Sequence, residues 1–347
     1  MAFLFGDSFH HLSQADLTKK WANSPANSSI GTSDARFPGS KYLAMASTAA
    51  SLQAFNLGNK STLIVGFAFW VSGTFGNDLN MCSLRDNGNE QLSLRLTSGG
   101  LFLYVSRNGT TLATATTALN GGAWYYIEFK ATIHNTAGAY AVRVNGAPIA
   151  GISDATNVNT RGSTTNNYAN QVWFHDGSVH GAGNSFRYGD VYILDDTGPA
   201  PLNNFLGDVR YDVLYPDGAG AYSQWTPTSG ANYTTVDESP ANQTDYVEST
   251  ADDQIDSYSF ADMSVAASTI YVVQVNAYAQ KTDAGNKSLA IFCKASDGTE
   301  SVSADQALGS SWLVYRRILP EEPYSGGTRP WTVARVNGSQ FGVKSRP

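Results

Sequence analysis

The stretch Ala123-Trp124-Tyr125-Tyr126-Ile127-Glu128-Phe129-Lys130, followed by Tyr140-Ala141-Val142-Arg143-Val144-Asn145-Gly146, decides the fold class. In an extended chain successive side chains point to opposite faces. Trp124, Tyr126 and Glu128 therefore share one face, and Tyr125, Ile127 and Phe129 the other. The second run alternates Tyr140, Val142 and Val144 with Ala141, Arg143 and Asn145, then breaks at Asn145-Gly146. That dipeptide tolerates the positive φ of a tight hairpin turn. The pattern predicts two antiparallel strands around a polar loop at 134–138, the second ending in a tight turn. Such a pair belongs to a β-sandwich, an architecture that carries function mostly in its loops.

Further strand-like runs lie at 41–45, 61–71, 91–96, 101–106, 171–174 and 190–194. Turn chemistry separates them, as in Asp86-Asn87-Gly88-Asn89, Asn108-Gly109 and Asn120-Gly121-Gly122. The one helical candidate is 13–21. Short strands without intervening helices predict an all-β antiparallel fold. Asp195-Asp196-Thr197-Gly198-Pro199-Ala200-Pro201 ends the series with two acids, a glycine and two prolines, the composition of a stiff linker. Beyond it, 209–214, 257–260, 269–280, 287–295, 312–318 and 331–336 read as strands, and 218–239 as a Gly/Thr/Ser-rich loop region. The expectation is two β-sandwich domains, 1–196 and 202–347, joined by 197–201.

Charged residues make up 15% of the chain, against about a quarter in ordinary globular proteins. The net charge is −7. Acids and bases balance over 1–196, so the whole acidic excess lies in the second part. Neither part is basic, which argues against a nucleic-acid partner. Cys82 and Cys293 stand one in each part among apolar neighbours, the pattern of buried free thiols in a chain folded in a reducing cytoplasm. No apolar run approaches membrane-spanning length, and Met1–Gly6 is too short for a signal peptide. These features suit a protein assembled inside a cell and released by lysis, with no membrane partner.

The run from Trp124 to Asn145-Gly146 resembles laminin-G/concanavalin-like jelly rolls, in which a strand opening with Trp precedes one ending in Asn-Gly. The resemblance covers roughly the first 196 residues. A second set frames the chain: Phe5-Gly6-Asp7-Ser8-Phe9-His10-His11 with Lys20-Trp21, then Gly189-Asp190-Val191-Tyr192-Ile193-Leu194-Asp195-Asp196. It continues through Phe205-Leu206-Gly207-Asp208-Val209-Arg210 and Ser223-Gln224-Trp225-Thr226-Pro227 to Phe341-Gly342-Val343-Lys344. This arrangement resembles structural proteins of tailed bacteriophages. It implies a virion component, a fibre, tail-tip or capsid-decoration subunit, assembled in the bacterial cytoplasm. Its expected partners are other virion proteins, copies of itself and a host-surface glycan.

Candidate chemistry is sparse. Gly6-Asp7-Ser8 mimics the nucleophile block of GDS-type esterases, but Gly76-Asn77-Asp78 lacks a residue of the second block and every His precedes residue 181. No strand carries the spaced carboxylates of a glycosidase, so no enzyme is expected. His175-Asp176-Gly177-Ser178-Val179-His180 matches no helical metal motif. Calcium, which jelly rolls of this type often hold in rim loops through oxygen ligands, would suit Asp86, Asn87, Asn89 and Glu90, or Asp154, Asn157 and Asn159. A glycan would suit Tyr168 with Asn166, Asn167 and Asn170, while Trp173, Phe186 and Tyr188 read as packing residues. An acidic belt of Asp245, Glu248, Asp252, Asp253 and Asp256 would face a cation or a basic partner.

Overall fold

The computed structural model describes every residue except 1–2, 47, 49, 55, 176–179, 181–184 and 264–268. It divides into two compact units, Met1–Tyr211 and Asp212–Pro347. Nearly all regular structure in both is antiparallel β, as the alternation of the sequence dictates.

In the first unit the strands are β1 (Phe3–Asp7), β2 (Ser28–Gly31), β3 (Tyr42–Ala46), β4 (Leu52–Ala54) and β5 (Thr62–Val71). They continue with β6 (Leu79–Asp86), β7 (Asn89–Leu96), β8 (Phe102–Arg107), β9 (Thr110–Ala118) and β10 (Trp124–Thr132). The last are β11 (Gly138–Val144), β12 (Ala147–Pro148), β13 (Ala155–Val158), β14 (Gln171–Phe174) and β15 (Ser185–Leu194). One sheet runs β12-β11-β10-β5-β15-β3-β2, with β1 added beside β15 and β13 beside β11. The other runs β4-β14-β6-β7-β8-β9. Strands distant in sequence, β5 with β15 and β14 with β6, are neighbours in space. This nesting makes the unit a jelly-roll, concanavalin-like sandwich. The hairpin β10–β11 pairs Ile127 with Val144 and Thr132 with Ala139. Asn145 and Gly146 take φ of 52° and 77° in the turn that follows, as their dipeptide predicts.

The two sheets bury their facing sides in one core. Phe174 of β14 meets Phe67 of β5 edge-on at 5.4 Å, Tyr188 of β15 at 5.8 Å and Trp21 at 6.1 Å. Phe186 and Tyr188 are fully buried, as expected of packing residues. Cys82 and Cys293 are both buried and free. Burial pushes the Cys293 thiol up to about 12 and that of Cys82 further still, so neither is a ready nucleophile.

The first unit ends at Tyr211, beyond the expected linker at 197–201. Residues 202–211 are a strap on this unit. Leu202 and Leu206 are buried, and the N–H groups of Leu206 and Gly207 donate to Glu128 Oε1 at 2.8 and 2.9 Å. The Tyr192 hydroxyl donates to the same oxygen. The expected strand at 209–214 does not form. Val209 O accepts from Arg36 at 2.8 Å and Tyr211 N–H donates to the Asp190 carboxylate at 3.2 Å, so this backbone bonds to side chains and joins no ladder. The expected helix at 13–21 shrinks to a single turn, Leu17–Lys19, because Leu17 and Trp21 are both drawn into the core.

The second unit is a smaller sandwich. Its main sheet orders Pro216–Ser223, Ile255–Phe260, Gln340–Arg346, Ser288–Lys294 and Glu300–Val302, with Gln306–Ala307 also beside Ser288–Lys294. A two-stranded ribbon, Val273–Ala279 with Leu313–Leu319, forms the second layer; its Val275 packs against the cluster of Leu289, Ile291 and Tyr315. Pro216–Ser223 is a strand where a loop was expected, and 331–336 is not one. Val333–Asn337 is instead a short helix whose Arg335 N–H donates to the Thr332 hydroxyl at 3.3 Å.

Glu128 is fully enclosed. Burial raises its pKa above the usual glutamate range, against the opposing pull of the Tyr192, Gly207 and Leu206 hydrogen bonds. A carboxyl raised in the fold adds stability at low pH and loses it as pH climbs through the raised value. Replacing Glu128→Gln removes that titration. The stability advantage of the native chain over the variant, read from denaturant midpoints, will shrink as pH rises above the ordinary glutamate range. A pH-independent difference would refute the assignment.

Candidate functional site

The outward face of the β4-β14-β6-β7-β8-β9 sheet carries a cluster of polar and aromatic side chains. Core burial of Leu84, Leu94, Val105 and Phe174 turns their strand neighbours outward. Trp173 pairs with Ser83, Ser83 with Ser93, and Ser93 with Ser106, so three serines form a floor beside one tryptophan. Arg85 and Arg95 extend from this floor. Each donates its Nε–H to the serine two residues earlier on its own strand, Arg85 to Ser83 at 2.9 Å and Arg95 to Ser93 at 3.0 Å. The Arg85 guanidinium lies 4.3 Å from the centroid of the half-buried Trp173 ring, a cation–π contact. Trp173 in turn donates its indole N–H to Gln171 at 3.2 Å.

Glu90 lies between the two arginines. Its carboxylate accepts from Arg95 at 3.1 Å on both oxygens, from Asn80 at 2.8 Å and from Ser93 at 2.9 Å, with Arg85 at 3.5 Å. Burial works against the Arg95 charge, but Glu90 outweighs it and holds the guanidinium pKa above its usual value. Tyr104, next to Arg95 across the β7–β8 ladder, donates to Asp78 at 2.9 Å. Burial and then the Asp78 hydrogen bond raise the tyrosine pKa. The face is a rigid array of planar hydrogen-bonding groups with aromatic rings standing among them.

The loop residues expected to bind calcium and those expected to bind a glycan meet at one end of this face. Asn87 and Gly88, with φ of 47° and 85°, make the β6–β7 turn. Asp86 accepts from Thr164 at 2.8 Å and from Asn166 at 2.7 Å, and Asn166 also donates to the Tyr168 hydroxyl at 2.9 Å. Asn170 donates to Asn87 Oδ1 and accepts from its N–H. Asn167 accepts from Arg161, and Asn89 donates to the carbonyl of Asp86. Gln91, fully buried, clamps the arch: it accepts from Gly162 N–H at 2.6 Å and donates to Thr164, Asn166 O and Tyr168 O. Glu90 does not fit a calcium site, because its oxygens already hold two guanidinium groups. Asp154 is likewise held in a two-pronged pair by Arg143 at 2.7 Å. Among the described residues no three His, Cys, Asp or Glu side chains gather as a metal site.

The acidic belt of the second unit is not one free face. Asp256 is buried and accepts from Asn232 and from Tyr258. Asp252 pairs with Lys287 at 2.8 Å, and Asp253 with Lys344 at 3.2 Å and with Arg346. The belt looked unbalanced in sequence because these bases lie on strands far along the chain. Asp245 and Glu248 stand apart from these pairs. Ser8 and His10 are both buried; His10 Nδ1 lies 2.9 Å from the Ser8 carbonyl and 3.0 Å from its hydroxyl, and Nε2 lies 3.1 Å from the Gly39 carbonyl. His175 and His180 pack edge-to-face, with Phe186 against both, while 176–179 lie outside the described residues.

The serine–arginine floor and Trp173 were missed in the sequence. A signal was present: Ser-Leu-Arg occurs twice, at 83–85 and 93–95, on two arms of one hairpin.

No protein-family model matches the chain, and no curated protein does. Among solved structures, the chain is similar to the cellulose-induced protein Cip1 at 16% identity, over 55% of this chain and 96% of that one, with a TM-score of 0.36. It is similar to the carbohydrate-binding module CBM66 from Bacillus subtilis at 10% identity, over 49% and 96%, with a TM-score of 0.30. It is similar to the galectin LEC-6 of Caenorhabditis elegans at 12%, over 43% and 94%, with a TM-score of 0.27. At these identities and scores none of them assigns a ligand or an activity to this chain.

Removing the Gln91 clamp should free the arch without disturbing the floor. Gln91→Ala leaves four donors and acceptors of the arch without their partner, at a cost of about 1–3 kcal/mol. Amide exchange of 162–168 will accelerate at least tenfold while that of β7 and β8 stays protected. Equal acceleration of both would show that the clamp supports the sheet rather than the arch.

Proposed function

We propose that this chain is a carbohydrate-binding protein whose first unit holds a glycan on the outward face of the six-stranded sheet. The observation that carries the reading is the juxtaposition of the half-buried Trp173 with Arg85, Arg95 and Tyr104, which stand over the buried serines. Sugars offer apolar C–H faces to aromatic rings and pairs of hydroxyls to planar donors and acceptors, and this face presents both kinds of group in fixed positions. The arch at 162–170, with Tyr168 at its end, forms a wall beside it.

The same reading makes the protein a binder without turnover. Glu90 is saturated by four donating side chains, and Asp78 is held by the Tyr104 hydroxyl and the Ser98 N–H. Neither carboxylate is poised to donate or accept a proton at a glycosidic bond. Glycan-array binding by the full chain will fall at least about tenfold in Trp173→Ala, with less effect from Tyr168→Ala. Undiminished binding in Trp173→Ala, or release of sugar products by the native chain, would refute this function.

A second reading is supported by the sequence framing that resembles tailed-phage structural proteins, from Phe5–His11 to Phe341–Lys344. In it the protein is a homo-oligomeric or lattice-bound virion subunit that contacts a host-surface glycan through the same face. Light scattering of the purified chain tests it, with and without calcium. A discrete trimer or larger ring supports the particle role, and a monomer under both conditions counts against it.

A further inference from the structure

We propose that the glycan on this face is a neutral, extended chain that lies across the strands from Trp173 to Tyr104 and is held along its length, not at a terminal sugar. The inference rests on the reading of the face as a glycan site and names its ligand class and pose.

Three observations carry it. The first is spacing. Trp173 lies on β14 and Tyr104 on β8, three strands apart through β6 and β7. Ser106 is the β8 residue in line with Trp173, and Tyr104 stands two residues along from it. The two half-buried rings are therefore about 15 Å apart, the reach of a short run of sugar rings and too far for one. Beyond Tyr104 comes the exposed Thr114 of the edge strand β9, so a chain can continue past this end into solvent.

The second is what fills the gap. Arg85 and Arg95 stand between the rings on Ser83 and Ser93 and meet at Glu90, which makes one paved strip of planar groups. Their hydrogen-bonding edges are taken up within the face: Arg85 by Ser83, the Gly88 carbonyl and Glu90, Arg95 by Ser93 and Glu90, and Tyr104 by Asp78. What the strip offers a ligand is flat surface, which suits the apolar C–H faces of successive sugars. The third is charge. Glu90, Asp86 and Asp78 offset the two arginines, on a chain whose net charge is −7, so the face has no field to attract an acidic sugar.

The test is titration calorimetry of the full chain with cello-, manno- and xylo-oligosaccharides, each from disaccharide to hexasaccharide, and with oligogalacturonate. We expect at least one neutral series to gain about tenfold in affinity between its disaccharide and its tetrasaccharide and to level off beyond. Oligogalacturonate should bind more weakly than that series. Trp173→Ala should weaken every length. Tyr104→Ala should remove the gain with length and leave the disaccharide, which sits on Trp173, unchanged. Tyr104→Phe, which keeps the ring and drops the Asp78 bond, should keep the gain. Equal affinity at every length would overturn the inference and leave the glycan reading standing. A gain that survives Tyr104→Ala, or a preference for oligogalacturonate, would overturn it as well. Binding in none of these series would also overturn it, and a glycan array would then decide the broader reading: a hit retains the glycan site, and no hit removes both.

Discussion

The contact of Phe174 with Phe67, Tyr188 and Trp21 is the constraint on which the first unit depends. It joins a short strand of one sheet to long strands of the other and seals the sandwich at its most aromatic point. Because side chains alternate along a strand, burying Phe174 leaves Trp173 on the opposite face. The same parity runs across the sheet. Leu84 and Leu94 go into the core, so Ser83, Arg85, Ser93 and Arg95 are turned out together. The outward polar face is thus a by-product of core packing, and a one-residue slip in register would dissolve it.

Polar groups then fix what packing has turned outward. Glu90 is almost fully buried, yet its carboxylate is satisfied by four donating side chains. A buried charge with one partner removed is costly, so the whole constellation is held as a unit. The arginines gain position from it. Gln91, one residue on, points to the other structure that shapes the face, the arch at 162–170. A bulge where Leu84 and Arg85 change register separates the two roles, sending Glu90 to the floor and Gln91 to the wall.

The opposite sheet shows a related use of a buried carboxylate. Glu128 anchors the strap at 202–211 through two backbone N–H groups, so a segment rich in turn residues is tied to the first unit rather than left as a spacer. Composition placed the boundary at the prolines near 199–201, whereas contacts place it after Tyr211. Proline marks where a strand ends. It carries no information about where the following residues pack.

The sequence by itself determined the class of this protein: all-β, antiparallel, two units, with the hairpin from Trp124 to Gly146 and the Asn-Gly and Gly-rich turns in place. These features are local, set by side-chain alternation and by the φ each turn residue tolerates. It also brought out Asp86, Asn87, Asn166, Asn170 and Tyr168 as loop residues of interest, though as two sites rather than one. Only the tertiary structure joined them, since Asp86 and Asn166 are 80 residues apart and meet through a hydrogen bond no spacing encodes. It likewise gave Trp173 to the surface, paired Asp253 with Lys344, and set Arg85 and Arg95 around one glutamate. Ion pairs and cross-sheet neighbours depend on which strands become adjacent, and in a nested jelly roll that adjacency is decided by the closing of the whole core.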